Sequence, residues 1–325
     1  MKPKIIKGVN GNYLFFPQDP ETILSDSNFS YVFLGGRAKD GQRVIIKVLN
    51  PELREIKHAR VHFLLQASIQ INHPGIIQNL DLAKDEHSYY IVQEFVDSAD
   101  IKTLIRLKQA NDERLISRIM IPVLDAFEAV HNHNIVHRNI KPSNILIAFK
   151  PGTETINWKN PEIRIIDFDK AKTPDNIPLY QEEKKKHPFS LLYSAPELVL
   201  NNEQLTDHRA DLYSLGVIML EMFTGKPAFF DDNPARIVSN QLTKIPPRPK
   251  KMYPKFYDIV AKAVAKSKIE GPPSKIPQQV VSEKLREGRD LRYHTAAEMK
   301  ADIIDFLKNP GPPPKKGLRS LFSKK

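Results

Sequence analysis

His137-Arg138-Asn139-Ile140-Lys141-Pro142-Ser143-Asn144, followed by Ile165-Ile166-Asp167-Phe168-Asp169, crowds ionic and amide side chains between apolar runs. Asn139 is the residue on which its chemistry turns. A side-chain amide orients a hydroxyl through its oxygen, but it has no useful basicity and cannot attract the cation at Lys141 as a carboxylate would.

On the N-terminal side of this stretch, residues 13–96 are rich in strand signals. Tyr31-Val32-Phe33-Leu34 and Val44-Ile45-Ile46-Lys47-Val48-Leu49 flank Lys39-Asp40-Gly41-Gln42, and an Asp-Gly pair between apolar runs predicts a hairpin. A helical segment from about Pro51 to Asn72 interrupts the strands, and Tyr89-Tyr90-Ile91-Val92-Gln93-Glu94-Phe95 resumes them. From about residue 100 the apolar spacing becomes helical, running through Leu115 to Leu124, Phe127 and Val130. Asp211 to Phe223 is an apolar helix stopped by Thr224-Gly225-Lys226-Pro227, and Thr295 with Glu298 forms a capping box for a last helix ending near Lys308. Residues 268–288 and the tail from Asn309 are rich in Pro and Gly and are expected to be loops.

At 325 residues and 41% hydrophobic composition, the chain has enough apolar side chains for one large core or two smaller ones sharing a cleft. The net charge of +11 favours anionic partners, but no aromatic-interleaved basic motif or metal-finger spacing points to nucleic acid. Zero cysteines exclude disulfides and thiolate metal sites, which fits a reducing compartment. No apolar run approaches the roughly 18 residues of a membrane span. The expectation is a cytoplasmic protein.

In order, these pieces resemble a protein-kinase domain over about residues 22–308, most similar to bacterial Ser/Thr kinases. The opening stretch follows that family's H-R-D-x-x-x-x-N and D-F-G motifs. Val44-Ile45-Ile46-Lys47 matches V-A-I-K, Ser194-Ala195-Pro196-Glu197 resembles A-P-E, and Asp211-Leu212-Tyr213-Ser214-Leu215-Gly216 resembles D-x-W-S-x-G. The resemblance implies an α+β bilobal fold. A five-stranded lobe with one helix (residues 22–96) sits above a helical lobe (97–308, with an insert at 268–288), between an N-terminal extension (1–21) and a tail (309–325). It also implies ATP and Mg²⁺. Lys47 would face the phosphates, with Leu24, Ser25, Ser27, Val32 and backbone groups of Glu94 and Val96 around the nucleotide. Asn144 and Asp167 would be hard oxygen ligands for the metal, or, more plainly, a turn cap and a strand-end carboxylate. Glu197 and Arg292 would pair in the interior, and Asp211 would be structural.

The departures from the family pattern matter as much. Asn139 replaces the catalytic aspartate and Asp169 the glycine, whose place asks for a backbone tolerant of left-handed geometry. The phosphate-covering loop has serine at 25, 27 and 30 where the family has glycine; Ser restricts the backbone, though its hydroxyls can donate to phosphate. The family's helix glutamate, counted back from His73-Pro74, meets Leu64, leaving Lys47 without an ion-pair partner. Ile45 would crowd the adenine, with Gln93 as gatekeeper.

These features imply a pseudokinase, a signalling or scaffolding module that binds ATP and Mg²⁺ but transfers phosphate poorly. Two alternatives stand beside it: an active atypical Ser/Thr kinase, and a transferase using the same cleft for a nucleotidyl group. Lys141-Pro142 suggests hydroxyl amino acids as acceptors. Arg138 would clamp a phosphate on the segment 167–197, which carries Thr173, Tyr180 and Lys184-Lys185-Lys186-His187, unless that segment is an unmodified solvated loop; Ser190 stands where the family orders its substrate floor. The partner would be a protein. The tail 315–325, with Leu318, Leu321 and Phe322 among five cations, is either disordered or weakly membrane-associated. His58 and His62 share a helix face but lack a third zinc ligand.

Overall fold

The computed structural model describes residues 2–175 and 190–314; Tyr180, the 184–187 run and the tail 315–325 lie outside the described residues. Ten strands and nine α-helices are described. The first lobe holds β1 (Lys4–Lys7), β2 (Asn12–Phe15), β3 (Ile23–Asp26), β4 (Ser30–Arg37), β5 (Arg43–Leu49), α1 (Lys57–Ser68), β6 (Asn79–Lys84) and β7 (Tyr89–Glu94). The expected Asp40-Gly41 hairpin joins β4 to β5, with Gly41 at φ 72° and Arg37 N–H donating to the Gln42 carbonyl at 2.8 Å.

The lobe departs from the expected five strands. Its sheet has seven, ordered β1-β2-β4-β5-β7-β6 with β3 beside β4, because the segment read as an N-terminal extension supplies β1 and β2. The sheet curls until its ends meet: Gly8 bridges Ala83 on β6, and Val9 N–H donates to the Leu82 carbonyl. Ile6, Tyr13, Phe15, Phe33, Val44, Ile46, Val92 and Tyr90 fill the interior. The closure covers the end strands β1 and β6, whose free edges would otherwise invite strand addition.

The buried Asp81 carboxylate locks the closure, accepting N–H groups of Val9 (2.9 Å), Asn10 (2.8 Å) and Leu82 (2.8 Å). A Cβ on Gly8 would lie 2.2 Å from Asp81 Oδ2, so no side chain fits there. Gly8→Ala therefore displaces the carboxylate and orphans its donors. Stripping the buried Asp81 carboxylate of these donors should cost about 1–3 kcal/mol, read as a lower unfolding midpoint; an unchanged midpoint would show that the closure carries no stability.

The second lobe follows with β8 (Ser98–Asp100), α2 (Ile101–Arg106), α3 (Glu113–Asn132), β9 (Ile145–Ala148), β10 (Ile163–Ile165), α4 (Pro196–Val199), α5 (Arg209–Thr224), α6 (Pro234–Thr243), α7 (Pro254–Ala263), α8 (Gln278–Asp290) and α9 (Ala296–Lys308). Its core gathers Ile119, Val123, Phe127, Leu215, Ile218 and Phe306. Gly225 ends α5 at φ 71°, and the Thr295 hydroxyl accepts Glu298 N–H at the start of α9.

One expected loop is a helix. The prolines of residues 268–288 gather before α8, at positions 272, 273 and 277, where a missing N–H costs little. Beyond them Val281, Leu285 and Gly288 face inward on one stripe. Trp158, in the long β9–β10 connection, packs partly buried against the lobe's core. No described helix is long and apolar enough to cross a membrane.

Candidate active site

The cleft residues come from both lobes. On β5, Lys47 pairs with Val32 and Ile91 across the sheet, and its side chain is buried. Its Nζ donates to Gln66 Oε1 at 2.8 Å and to Asp167 Oδ1 at 3.0 Å. The helix partner of Lys47 is thus Gln66, not the expected Leu64, which packs half-buried beside Leu49, Leu53 and Phe63. Lys47 has an ion-pair partner after all, in Asp167 and not on the helix, where its partner Gln66 is neutral; Gln66 Nε2 is buried without an acceptor.

The catalytic-loop stretch hangs from α5. The buried Asp211 carboxylate accepts the N–H groups of His137 and Arg138, both at 2.9 Å, and lies 3.0 Å from His131 Nε2. These bonds hold Arg138 at φ 62°, a left-handed backbone uncommon for a residue with a side chain. The His137 ring lies 4.6 Å from that of Phe168, which is buried next to Asp167.

Asn144, in a short 3₁₀ turn, donates from Nδ2 to the Asn139 carbonyl at 2.9 Å and reaches Asp167 Oδ2 at 3.4 Å. Its amide is oriented by that bond, and Asp167 is at φ 70°. Burial opposes ionisation of Asp167, but the Lys47 ammonium outweighs it and holds the carboxyl below the usual carboxylate range; Lys141 acts in the same direction. An ionised carboxylate beside an amide oxygen fits Mg²⁺, which binds through one or two carboxylates and completes its shell with water and phosphate oxygens.

The two substituted motif positions meet: Asn139 Nδ2 donates to Asp169 Oδ1 at 3.2 Å. Burial raises the Asp169 carboxyl above its ordinary range, and the neighbouring Asp167 charge adds to this. Asp169 lies in a 3₁₀ turn and is not among the left-handed residues, so glycine's freedom is not needed at this position. Neutral His62 on α1 donates from Nε2 to the Asp169 carbonyl; burial and nearby cations hold its pKa at about 4.

The β3–β4 loop differs from expectation in how its serines act. Ser27 Oγ donates to the Ser30 carbonyl at 2.8 Å and accepts Ser30 N–H at 3.0 Å. Its one proton is committed to the hairpin and not available to a phosphate. Phe29 at the tip packs its ring 5.0 Å from that of His62, and Asn50 binds the carbonyls of Asn28 and Phe29. Ser25 and Leu24 are exposed on β3, and Val32 is half-buried opposite Ser25.

At the strand leading out of the lobe, Gln93 Nε2 binds Asn79 Oδ1 at 2.8 Å. Glu94 N–H donates to the Gln78 carbonyl, so that N–H is closed to a purine base, while the Val96 carbonyl accepts the Ser98 hydroxyl. Lys141 is half-buried. The Ser190 carbonyl accepts the N–H groups of Tyr193 and Ser194, forming the turn before α4. Glu197 on α4 and Arg292 form a buried pair through two hydrogen bonds of 2.6 and 3.0 Å.

Several residues escaped the sequence reading. Gln241 on α6 donates to both the Leu191 and Leu192 carbonyls at 2.9 Å and accepts the Tyr213 hydroxyl at 2.6 Å. Tyr213 stands at the tryptophan of D-x-W-S-x-G, and that hydroxyl was the available signal. Glu203 binds Arg138 at 2.7 Å, at the place expected for a phosphate. Nothing local in the sequence marks Glu203 or Gln66.

A protein kinase domain model matches residues 21–304. Among relatives, the probable serine/threonine-protein kinase PknB of Bifidobacterium longum is 28% identical over 282 residues, covering 82% of this chain and 36% of the relative. Serine/threonine-protein kinase PknB of Mycolicibacterium smegmatis is 27% identical over 292 residues, 87% of this chain and 41% of the relative. Serine/threonine-protein kinase Pkn1 of Myxococcus xanthus is 30% identical over 245 residues, 72% of this chain and 33% of the relative. The chain thus spans about a third to two fifths of the length of these relatives. With the kinase model matching across both lobes and the cleft between them, the chain belongs to the protein kinase family.

Proposed function

We propose that this chain is a kinase domain that binds ATP and Mg²⁺ in the cytoplasm but transfers phosphate to protein hydroxyls slowly or not at all, serving as a signalling or scaffolding module. The carrying observation is the amide at 139, whose N–H donates to Asp169. Phosphoryl transfer needs cations on the phosphates, oxygen ligands on the metal and a group that receives the hydroxyl proton. Lys47 would meet the first need. Asn144 and Asp167 would hold Mg²⁺, which neutralises charge on the phosphate oxygens when bound. For the third, Asn139 offers only an orienting oxygen.

The same contact favours a second reading, an active atypical Ser/Thr kinase. The carboxylate missing from 139 is regained beside it at 169, 3.2 Å from the amide nitrogen. The names of the relatives support protein hydroxyls as the acceptor class under either reading.

Incubation with γ-labelled or α-labelled ATP separates phosphate transfer, nucleotidyl transfer and neither, and thermal shift reports occupancy. Saturating ATP with Mg²⁺ should stabilise the wild-type chain by about 2.7 kcal/mol at a hundredfold excess over Kd. Lys47→Ala removes a charged donor to phosphate and should weaken ATP binding about 10- to 100-fold. No shift with the wild type would remove the nucleotide from the proposal; labelling of protein at the ordinary 1–100 per second would remove the impairment.

A further inference from the structure

We infer that Glu203 is a built-in anion for Arg138, so that the start of the segment 167–197 is anchored to the stretch 137–144 without phosphorylation. Arg138 is 4% exposed, and a guanidinium so deeply buried needs an anion and hydrogen-bond acceptors around it. Its Nη1 donates to Glu203 Oε2 at 2.7 Å and its Nε to the Lys170 carbonyl at 2.7 Å. The Glu203 side chain is 56% exposed, so it approaches Arg138 from the solvent side, as a phosphorylated side chain would.

The loop that carries Glu203 is held in place independently of Arg138. Asn202 N–H donates to the Glu197 carbonyl at 2.8 Å, and Thr206 donates its N–H and hydroxyl to the Asn202 carbonyl. Lys172 Nζ then reaches back to the carbonyls of Glu203 (3.1 Å) and Thr206 (3.3 Å). Lys172 and Val136 exchange backbone hydrogen bonds of 2.8 and 2.9 Å. The circuit Arg138, Glu203, Lys172, Val136 is therefore closed. It ties the catalytic loop, the residues after Asp169 and the segment after α4, with the Glu203 carboxylate as the link to Arg138 and the Glu203 carbonyl as the link to Lys172.

A carboxylate carries a permanent single charge, whereas a phosphate brings about −1.5 to −2 and is added or removed by other enzymes. With Glu203 in place, removal of phosphate leaves the anchor intact. This inference does not depend on whether the cleft transfers phosphate, and its test uses no nucleotide.

The test is hydrogen exchange of the Val136 and Lys172 amides in the full chain, before and after phosphatase treatment checked by intact mass. Phosphatase should leave both rates unchanged. Glu203→Ala should accelerate both by about 10- to 100-fold, since a hydrogen bond between charged groups is lost, with Glu203→Gln in between and Glu203→Asp near wild type. Exchange in α9 serves as the control for intact folding. Acceleration on phosphatase treatment, or unchanged rates in both Glu203→Ala and Glu203→Gln, overturns the inference.

Discussion

Asn139→Asp combined with Asp169→Gly should transfer the γ-phosphate of ATP to protein hydroxyls about 10²- to 10⁴-fold faster than the wild-type chain, the range that a positioned proton acceptor contributes. The double variant is needed because the two positions touch, 3.2 Å apart. Asn139→Asp alone sets two carboxylates against each other, with Asp167 two residues further; the pair then shares a proton and the new base is largely neutralised. It should gain far less than the double variant. Asp169→Gly alone leaves neither position acidic and should match or fall below the wild type. The rates are therefore strongly non-additive, as expected of groups in contact. Initial rates with γ-labelled ATP at saturating nucleotide measure the cycle. A double variant no faster than the wild type would show that the amide is not what limits transfer. An ordinary wild-type rate abolished by Asp169→Gly would instead establish Asp169 as the working carboxylate.

What was legible in the sequence is what local chemistry determines. Gly225 and the Thr295 box stop and start helices within a few residues of themselves, and Lys47, Asn144 and Asp167 belong to motifs whose backbone geometry is local. Partners set by three-dimensional approach were not legible. Gln66 was missed because counting from His73-Pro74 cannot establish which residue of α1 faces β5, a matter of helix phase that puts Gln66, His62 and Phe63 inward. The Asp81 lock joins residues more than seventy positions apart. Helix α8 was hidden by prolines that precede it. The Asn139–Asp169 bond shows the same limit within the motifs themselves. Each substitution reads alone as a loss, and only the fold shows that one carboxyl group stands beside the other's vacant place.

Breaking the Glu197–Arg292 pair should destabilise the helical lobe by about 3–5 kcal/mol, because removing one partner strands the other charge in the interior. The two halves are not equivalent, for a titratable lysine shares the site. Lys266, buried on neutral partners, donates to the Tyr213 hydroxyl at 2.9 Å and the Gln241 carbonyl at 2.8 Å. Burial, with Arg292 nearby, lowers its pKa to about 6, while Glu197 pulls the other way. Glu197→Gln strands the Arg292 cation without an anion and keeps Lys266 neutral, and should be the costlier change. Arg292→Met removes a repulsion and leaves Glu197 to Lys266, so part of the loss is recovered as Lys266 takes up a proton. The pH dependence separates the two. In the wild type the unfolded chain holds a proton on Lys266 that the folded chain sheds between about pH 6 and 10.5, so stability rises with pH across that window. In Arg292→Met the folded pKa climbs toward the unfolded value and the slope flattens; in Glu197→Gln it falls further and the slope extends to lower pH. Denaturant unfolding from pH 4 to 9 on the three proteins measures this. Equal losses with parallel pH profiles would mean that Lys266 does not feel the pair.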